Sequence, residues 1–246
     1  MTRVVAITGI AGGIGAATAA VFHDAGWSVA GVDLVDVAGT TPMVGFTTLD
    51  LRKANAGDEL TAFIATLPGL DALVNAAAIQ RIDMIDGTPV AAWDEVLAAN
   101  ARGTFLAMQA AYPHLQRSHG AVVNVASVHA IATSVGAAPY AASKGAIVAL
   151  TRAAAIEWAP DVRVNAVAPG AVDTSMLRQG VQRWAPPEGV DAALEELAAR
   201  IPLGRVGRPE EIAEAILFLA DGRRSSFITG QTIVADGGAL ARLSTE

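Results

Sequence analysis

The sequence Val4-Val-Ala-Ile-Thr-Gly-Ile-Ala-Gly-Gly-Ile-Gly15 decides the fold, because an apolar run passes directly into a glycine-rich turn and then into a helical pattern. Gly9, Gly13 and Gly15 tolerate unusual backbone angles and let the main chain approach a pyrophosphate closely. The helix that follows, beginning near Ile14, directs free N–H groups at the same place. The stretch therefore predicts a dinucleotide-binding βαβ unit; the alternative is an ordinary glycine-rich turn between a strand and a helix.

Strand-like and helix-like segments alternate along the rest of the chain. The predicted strands are residues 4–8, 28–33, 44–49, 72–75, 121–126, 163–168 and 232–234. The predicted helices are residues 14–25, 55–67, 89–116, 140–158 and 209–219. Strands that are apolar throughout indicate burial on both faces, as in parallel sheets. We therefore expect one α/β domain over residues 1–246, a Rossmann-type doubly wound parallel sheet with helices on both faces.

One long stretch, residues 173–208, contains no predicted strand. It holds Pro186, Pro187 and Pro202 around a short helical pattern at residues 192–200. It begins just after the carboxyl end of a predicted strand, where open α/β sheets bind ligands. Long insertions at that edge are typical of active-site lids, so we predict a substrate lid here.

Composition excludes several classes of function. The 246 residues carry a net charge of −7, which argues against nucleic acid and an anionic membrane surface as partners. The absence of cysteine excludes disulfides, thiolate metal sites and cysteine nucleophiles. No histidine has a carboxylate partner at metal-ligand spacing, so we predict no metal. The first residues enter a strand without the pattern of a signal peptide, which predicts a cytoplasmic protein.

Three carboxylates bear on how the cofactor is bound. Asp33 ends the second predicted strand, 18 residues after Gly15. A carboxylate there accepts hydrogen bonds from both ribose hydroxyls and repels a 2′-phosphate, and the glycine turn holds no lysine or arginine, which favours NAD over NADP. Asp36 is a second candidate for the carboxylate that contacts the ribose. Asp50, after the third strand, either borders an adenine pocket or begins the next helix.

Three side chains suggest acid–base chemistry. Tyr140 and Lys144 are four residues apart on a predicted helix and so share a face, and Ser127 lies 13 residues before the tyrosine. A nearby ammonium, together with an oxidised nicotinamide, favours phenolate, and a serine hydroxyl can hold a substrate oxygen. Taken one at a time, each residue has an ordinary structural explanation. Tyr140 is then an aromatic residue at the start of a helix, Lys144 a solvated charge on its surface, and Ser127 a cap at the end of a strand. Together with the glycine turn they predict proton exchange during hydride transfer.

The chain resembles the short-chain dehydrogenase/reductase family, in the branch of about 250 residues, essentially from end to end. The resemblance is carried by Thr8–Gly15, Asn75-Ala-Ala-Ala78, Asn100, Ser127, Tyr140-x-x-x-Lys144, Pro169-Gly170 with Thr174, and Gly230 through Gly238. It implies an enzyme that interconverts an alcohol and a carbonyl. It also implies a homotetramer built on the helices around Asn100 and Tyr140.

The resemblance further implies roles for individual residues. Tyr140 is the general acid/base, Lys144 lowers its pKa and holds the nicotinamide ribose, Ser127 orients the substrate oxygen, and Asn100 lies at a helix kink and supports a proton-relay water. Asn75 steadies the central sheet. The cofactor contacts are expected from Gly9, Gly13, Ile14, Gly15, Asp33, Asp50, Leu51, Asn75, Ala76, Ala77, Tyr140, Lys144, Pro169, Gly170, Val172 and Thr174.

One motif departs from the family pattern, which usually reads Asn-Asn-Ala-Gly where this chain has Asn75-Ala-Ala-Ala78. Ala76 lacks a polar side chain, and the methyl group of Ala78 can crowd backbone near the cofactor. Neither change removes a catalytic group, so we expect a modified site that remains active.

The substrate is the least determined feature. Candidate substrate residues are Gln80, His129, Met176 and Trp184. Polar residues near the expected pocket favour a sugar, polyol, cyclic diol or secondary alcohol oxidised with NAD. Two alternatives remain: a 3-oxoacyl thioester reductase using NADPH, and a regulator that binds the dinucleotide without catalysis.

Overall fold

Seven apolar segments pair into one sheet in the computed structural model, which describes residues 2–37 and 41–242. The strands are β1 (Val4–Thr8), β2 (Ser28–Asp33), β3 (Met43–Thr48), β4 (Ala72–Asn75), β5 (Ala121–Val125), β6 (Arg163–Pro169) and β7 (Thr232–Ala235). Their order is β3-β2-β1-β4-β5-β6-β7, and every pair is parallel. This is the predicted doubly wound sheet.

Helices follow most strands. They are α1 (Gly13–Asp24), α2 (Ala56–Ala65), α3 (Val90–Leu97), α4 (Gly103–Ser118), α5 (Ala138–Glu157), α6 (Ser175–Val181), α7 (Val190–Ala199), α8 (Pro209–Ala220) and α9 (Gly222–Ser225). A π-helical segment, Ala98–Arg102, joins α3 to α4, and short 3₁₀ turns occupy Val128–Ala130 and Ala239–Ala241.

Helices cover both faces of the sheet, which explains why the central strands contain no alternating polar residues. Phe22 of α1 and Ile216 of α8 are buried with Val5 on one face. Leu60 of α2 and Leu115 of α4 are buried on the other. All five residues of β1 are buried, as are all five of β5, so apolar side chains are required in both directions.

The strand order reverses between β2-β1 and β4-β5, because the chain crosses from one side of β1 to the other after β3. Such a reversal opens a crevice at the carboxyl ends of the strands, where α/β sheets bind ligands. The glycine turn after β1, Asp33 at the end of β2 and Ser127 after β5 all lie at this edge.

The predicted strands agree with the structure to within one residue at either end. The lid region differs more. We predicted one helical pattern at residues 192–200, whereas the structure has both α6 and α7. Helix α6 begins where the Thr174 hydroxyl accepts a hydrogen bond from the backbone N–H of Leu177. Its seven residues are too few to show a periodic apolar pattern.

Gly15 is required by close packing within the turn. A Cβ placed on it would lie 2.0 Å from the carbonyl oxygen of Gly9, so any side chain forces the turn and α1 apart. Gly9, with φ of +72°, approaches the backbone of Ala77 in the same way, because its Cβ would lie 2.5 Å from the Ala77 nitrogen. These contacts pack the turn directly against the end of β4.

We therefore predict that Gly15→Ala lowers the free energy of unfolding by about 1–3 kcal/mol, through overpacking against backbone that cannot retreat. Gly145→Ala is the matched control. It also lies inside a helix, but its Cβ would meet nothing within 4 Å, so better helix propensity should add about 0.5–1 kcal/mol. Urea denaturation measures both; equal effects would contradict the packing argument.

Candidate active site

One cavity of about 790 Å³ runs along the carboxyl ends of the strands. At one end it is lined by the glycine turn, Asp33 and Leu51, and at the other by Ser127, Tyr140 and the lid region. Its size is near the upper limit for small-molecule sites, which suits an elongated ligand. We call these the adenosine end and the reacting end.

Asp33 joins the glycine turn to β2. One of its carboxylate oxygens accepts a hydrogen bond of 2.8 Å from the backbone N–H of Ala11, and the other accepts 2.7 Å from Leu34. The carboxylate lines the cavity, whereas Asp36 is exposed and does not. Of the two candidate aspartates, Asp33 is therefore the one that lies in the cavity.

Asp50 also lines the adenosine end, next to the buried Leu51. It does not begin a helix, because α2 starts at Ala56, so that alternative interpretation is wrong. Arg52 donates to both Asp50 oxygens, at 2.8 and 2.9 Å, and this holds the pKa of Asp50 below its usual value. Arg52 also donates to Glu95, so its charge is shared between two carboxylates.

Ser127, Tyr140 and Lys144 meet at the reacting end. Ser127 and Tyr140 both line this end of the cavity, where burial raises the pKa of Tyr140 and interaction with the Ser127 hydroxyl lowers it. Lys144 is 2% exposed, its ammonium donates to the carbonyl of Val125 at 2.7 Å, and its nitrogen lies 5.4 Å from the centre of the Tyr140 ring. The three side chains that sequence spacing grouped are therefore in contact or close to it.

Burial shifts the pKa values of Tyr140 and Lys144 in opposite directions, because it disfavours the charged form of each: the phenolate of the tyrosine and the ammonium of the lysine. Burial raises the pKa of Tyr140, and the hydrogen bond with Ser127 partly opposes this. Burial lowers the pKa of Lys144 to about 7. A lysine that titrates near neutral pH beside a tyrosine is an arrangement suited to proton exchange.

Asn100 lies in the π-helical segment, where the resemblance implies a kink. Its side chain is buried and fully used: Oδ1 accepts from the N–H of Ile79, and Nδ2 donates to the Ile79 carbonyl and to the Ser143 hydroxyl. The Ser143 hydroxyl donates in turn to the carbonyl of Tyr140. Asn100 thereby ties the loop after β4 to the first turn of α5.

A second set of buried amides connects the strands and the helix that carry the site residues. The Asn75 amide donates to Asn124 at 2.9 Å, and the Asn124 amide donates to the Thr151 hydroxyl at 2.9 Å. These contacts link β4, β5 and α5. Asn75 was predicted as a cofactor contact, but it does not line the cavity, because its side chain is buried in the sheet against Asn124; its position is that of a sheet support. The sequence signal for Asn124 is a polar residue inside an otherwise apolar strand.

The end of β6 contributes Pro169, Gly170, Val172 and Thr174 to the cavity wall. Thr174 also packs on the glycine turn, because a Cβ on Gly13 would lie 2.8 Å from its methyl carbon. Ala76, Ala77 and Ala78 line the opposite side, with Ile14 nearby. All of these positions except Ala78 were predicted as cofactor contacts.

All four candidate substrate residues, Gln80, His129, Met176 and Trp184, line the cavity. The His129 ring nitrogen Nδ1 lies 2.8 Å from the Thr133 hydroxyl, and its ring meets Tyr140 edge to face at 5.4 Å. Burial lowers the pKa of His129 and favours the neutral ring. Sequence reasoning missed further lining residues, namely Ser134, Leu177, Arg183, Leu197, Arg200 and Ile201.

None of the helices within residues 2–37 and 41–242 is long and apolar enough to cross a membrane. No group of three or more histidine, aspartate or glutamate side chains in that part of the chain gathers as metal ligands would.

Known proteins similar to this chain catalyse alcohol and carbonyl chemistry. A 2-(S)-hydroxypropyl-CoM dehydrogenase of Xanthobacter autotrophicus is 37% identical, with 97% of each chain covered. A 3-oxoacyl-(acyl-carrier-protein) reductase of Thermotoga maritima is 36% identical over 97% of this chain and 98% of its own. A 2,3-dihydro-2,3-dihydroxybenzoate dehydrogenase of Escherichia coli is 38% identical over 95% of each.

Solved structures agree in fold. The ligand-free aldohexose dehydrogenase of Thermoplasma acidophilum superposes with a TM-score of 0.92 at 29% identity, over 99% of this chain and 96% of that one. The enzyme ElxO with NADP bound has a TM-score of 0.85 at 26% identity, over 98% and 100%. The family model described as enoyl-(acyl carrier protein) reductase matches residues 9–239. The chain belongs to the short-chain dehydrogenase/reductase family, and it is an oxidoreductase of the class that acts on CH–OH groups.

Proposed function

We propose that this protein is an NAD-dependent dehydrogenase that interconverts a small hydroxylated substrate and its carbonyl. The observation that carries the proposal is the placement of Ser127, Tyr140 and the buried Lys144 together at the reacting end of a cavity suited to a dinucleotide, with the Lys144 nitrogen 5.4 Å from the centre of the Tyr140 ring. A protein that only bound the dinucleotide would have no need of this arrangement.

In the proposed mechanism each polar group has one task. Ser127 donates a hydrogen bond to the substrate oxygen and holds it beside Tyr140. During oxidation Tyr140 Oη takes the hydroxyl proton, and during reduction it returns that proton. The Lys144 ammonium stabilises the phenolate that forms. Asn100 acts on Tyr140 indirectly, because its hydrogen bond to Ser143 fixes the turn of α5 that carries the tyrosine.

The residues at the adenosine end fit a nicotinamide dinucleotide, which when bound supplies the hydride acceptor or donor. The glycine turn would hold the pyrophosphate and Asp33 the adenosine ribose, and the nicotinamide end would lie against Val172, Thr174 and Lys144. Within the described residues, the one cationic side chain that lines this end is Arg52, which is already paired with two carboxylates. A 2′-phosphate therefore meets Asp33 without an available counter-charge, which supports NAD over NADP.

The named substrates of the relatives support the chemical class. They include 2-(S)-hydroxypropyl-CoM, 2,3-dihydro-2,3-dihydroxybenzoate and, through the aldohexose dehydrogenase, an aldohexose. We propose a hydroxylated substrate of similar size, drawn from sugars, polyols, cyclic diols and secondary alcohols. The second candidate, a 3-oxoacyl thioester reductase, is favoured by one relative and disfavoured by Asp33 and the net charge of −7.

Two larger-scale features belong to the same proposal. We propose that residues 173–208, with α6 and α7, form a lid over the reacting end, since Met176 and Trp184 line it. We also propose a cytoplasmic homotetramer. Exposed apolar side chains on α3, α4 and α5, namely Trp93, Phe105 and Ile156, support an interface on these helices.

Tyr140→Phe tests the catalytic assignment. We expect wild-type protein to reduce NAD⁺ with at least one member of a panel of sugars, polyols, cyclic diols and secondary alcohols. The variant should lose turnover by about 10²–10⁴-fold, because it cannot exchange the proton, while NADH affinity changes less than twofold. Absorbance at 340 nm and NADH fluorescence measure the two quantities. Full activity in the variant would exclude Tyr140 as the acid/base.

Asp33→Ala tests the cofactor assignment. Removal of the carboxylate relieves repulsion of a 2′-phosphate and removes ribose hydrogen bonds, so we expect the NAD/NADP ratio of kcat/KM to fall by about tenfold or more. Asp36→Ala is the matched control, because it makes the same charge change at an exposed carboxylate outside the cavity. An unchanged ratio in Asp33→Ala, or an equal fall in the control, would contradict the ribose role.

A further inference from the structure

The charge around the cavity is unevenly distributed. The acidic side chains that line it are Asp33 and Asp50, and both lie at the adenosine end. No acidic residue in the described part of the chain lines the reacting end. The protein carries a net charge of −7, so its composition alone does not explain why this end of the cavity has no carboxylate.

Two arginines line the reacting end, Arg183 and Arg200. Neither has a side-chain hydrogen bond or ion pair with any described residue. Other arginines of the region are paired: Arg178 donates to Asp173 at 2.7 Å and to Asp191 at 2.9 Å, and Arg205 donates to Glu211 at 2.6 Å. Arg183 and Arg200 are thus solvent-exposed residues that line the cavity, and no described side chain neutralises either of them.

The two short helices of residues 173–208 place these charges. On α7 and the turn after it, Leu197, Arg200 and Ile201 line the cavity at helical spacing, whereas Glu195 and Glu196 do not. After α6, Arg183 follows one turn beyond Gly180, where a Cβ would lie 3.9 Å from the Gln80 side-chain oxygen. The face toward the cavity is therefore cationic and apolar, and the acidic residues lie elsewhere.

The two helices also form a unit that can keep this orientation. Val181 of α6 is buried with Ala193 and Leu194 of α7, and Leu177 and Leu197 pack against them. Arg183 and Arg200 therefore belong to two segments that share one small core. A guanidinium group donates two parallel hydrogen bonds to a carboxylate, and two such groups on one wall can hold an anion in a defined position.

We propose that the substrate carries an anionic oxyacid group, such as a carboxylate, and that Arg183 and Arg200 bind this group while Ser127 and Tyr140 hold the reacting hydroxyl or carbonyl oxygen. This inference rests on the proposed function, because it assumes that the reacting oxygen lies at Tyr140. It narrows the substrate class from hydroxylated compounds in general to hydroxy acids and their oxo forms. Neutral sugars and polyols are then poor substrates.

The first experiment compares matched substrates in the wild-type enzyme with saturating NAD⁺: hydroxy acids, for example 4-hydroxycyclohexanecarboxylate, and the carboxamides of the same skeletons. We expect kcat/KM to be about tenfold or more higher for the acid, the order expected for charge-assisted hydrogen bonds at an open site. Turnover of carboxamides but not of acids would support the proposed function and overturn this inference.

The second experiment uses Arg183→Gln, Arg200→Gln and the double variant. Each single change should lower kcat/KM for the acid about tenfold, the double variant should show no preference for the acid, and kcat/KM for the carboxamide and KM for NAD⁺ should change less than twofold. Arg205→Gln, with the same charge change outside the cavity, is the control and should behave as wild type. Equal losses on acid and carboxamide, or a weakened KM for NAD⁺, would overturn the inference and assign the arginines to lid packing or to the cofactor.

A binding measurement tests the inference even if the enzyme oxidises none of the candidate substrates. Cyclohexanecarboxylate and cyclohexanecarboxamide are titrated into the NADH-loaded protein by calorimetry. We expect the carboxylate to bind about tenfold more tightly, with the difference lost in the double arginine variant and kept in Tyr140→Phe. Equal binding of the two compounds would overturn the inference, whatever the outcome for catalysis.

Discussion

The buried ammonium of Lys144 is the constraint around which the site is organised. A charge that is 2% exposed must be held by the protein, and here one carbonyl, that of Val125, lies within hydrogen-bond distance. The nitrogen reaches it only if α5 keeps one register against β5. Ser143 and Thr151, one on each side of the lysine along α5, fix that register through Asn100 and Asn124. The position of Tyr140 follows from the same contacts.

Much of the fold could be predicted from the sequence, because the doubly covered sheet leaves a strong local signal. The strands are short and apolar on both faces, and the predicted ends of β1, β2 and β4 agree with the structure. Helix α6 could not be predicted, because seven residues capped by Thr174 show no period, and its stability comes from packing of Val181 against α7. The π-helical segment was anticipated as a kink only through the family resemblance.

The residues of the candidate site also fall into two groups: those that the sequence predicted and those that only the structure reveals. Sequence spacing grouped Ser127, Tyr140 and Lys144, because a helix places residues four apart on one face and a strand end points to the crevice. It left Asp50 open, and only the structure shows that the carboxylate is paired with Arg52 rather than starting a helix. It missed Arg183 and Arg200, because whether a surface arginine faces a cavity or an acid depends on tertiary packing. Local pattern therefore grouped the residues that we propose exchange the proton, whereas the proposed substrate class depends on long-range contacts.

The pH dependence of kcat/KM for alcohol oxidation tests the role of the buried tyrosine most directly. Burial raises the pKa of Tyr140 and so makes the phenolate base scarce at neutral pH. Oxidation should therefore become faster as pH rises, by up to tenfold per unit below that pKa, and carbonyl reduction should slow as the acid form is lost. A profile without this rise, or one that Tyr140→Phe reproduces at full rate, would contradict proton exchange at Tyr140.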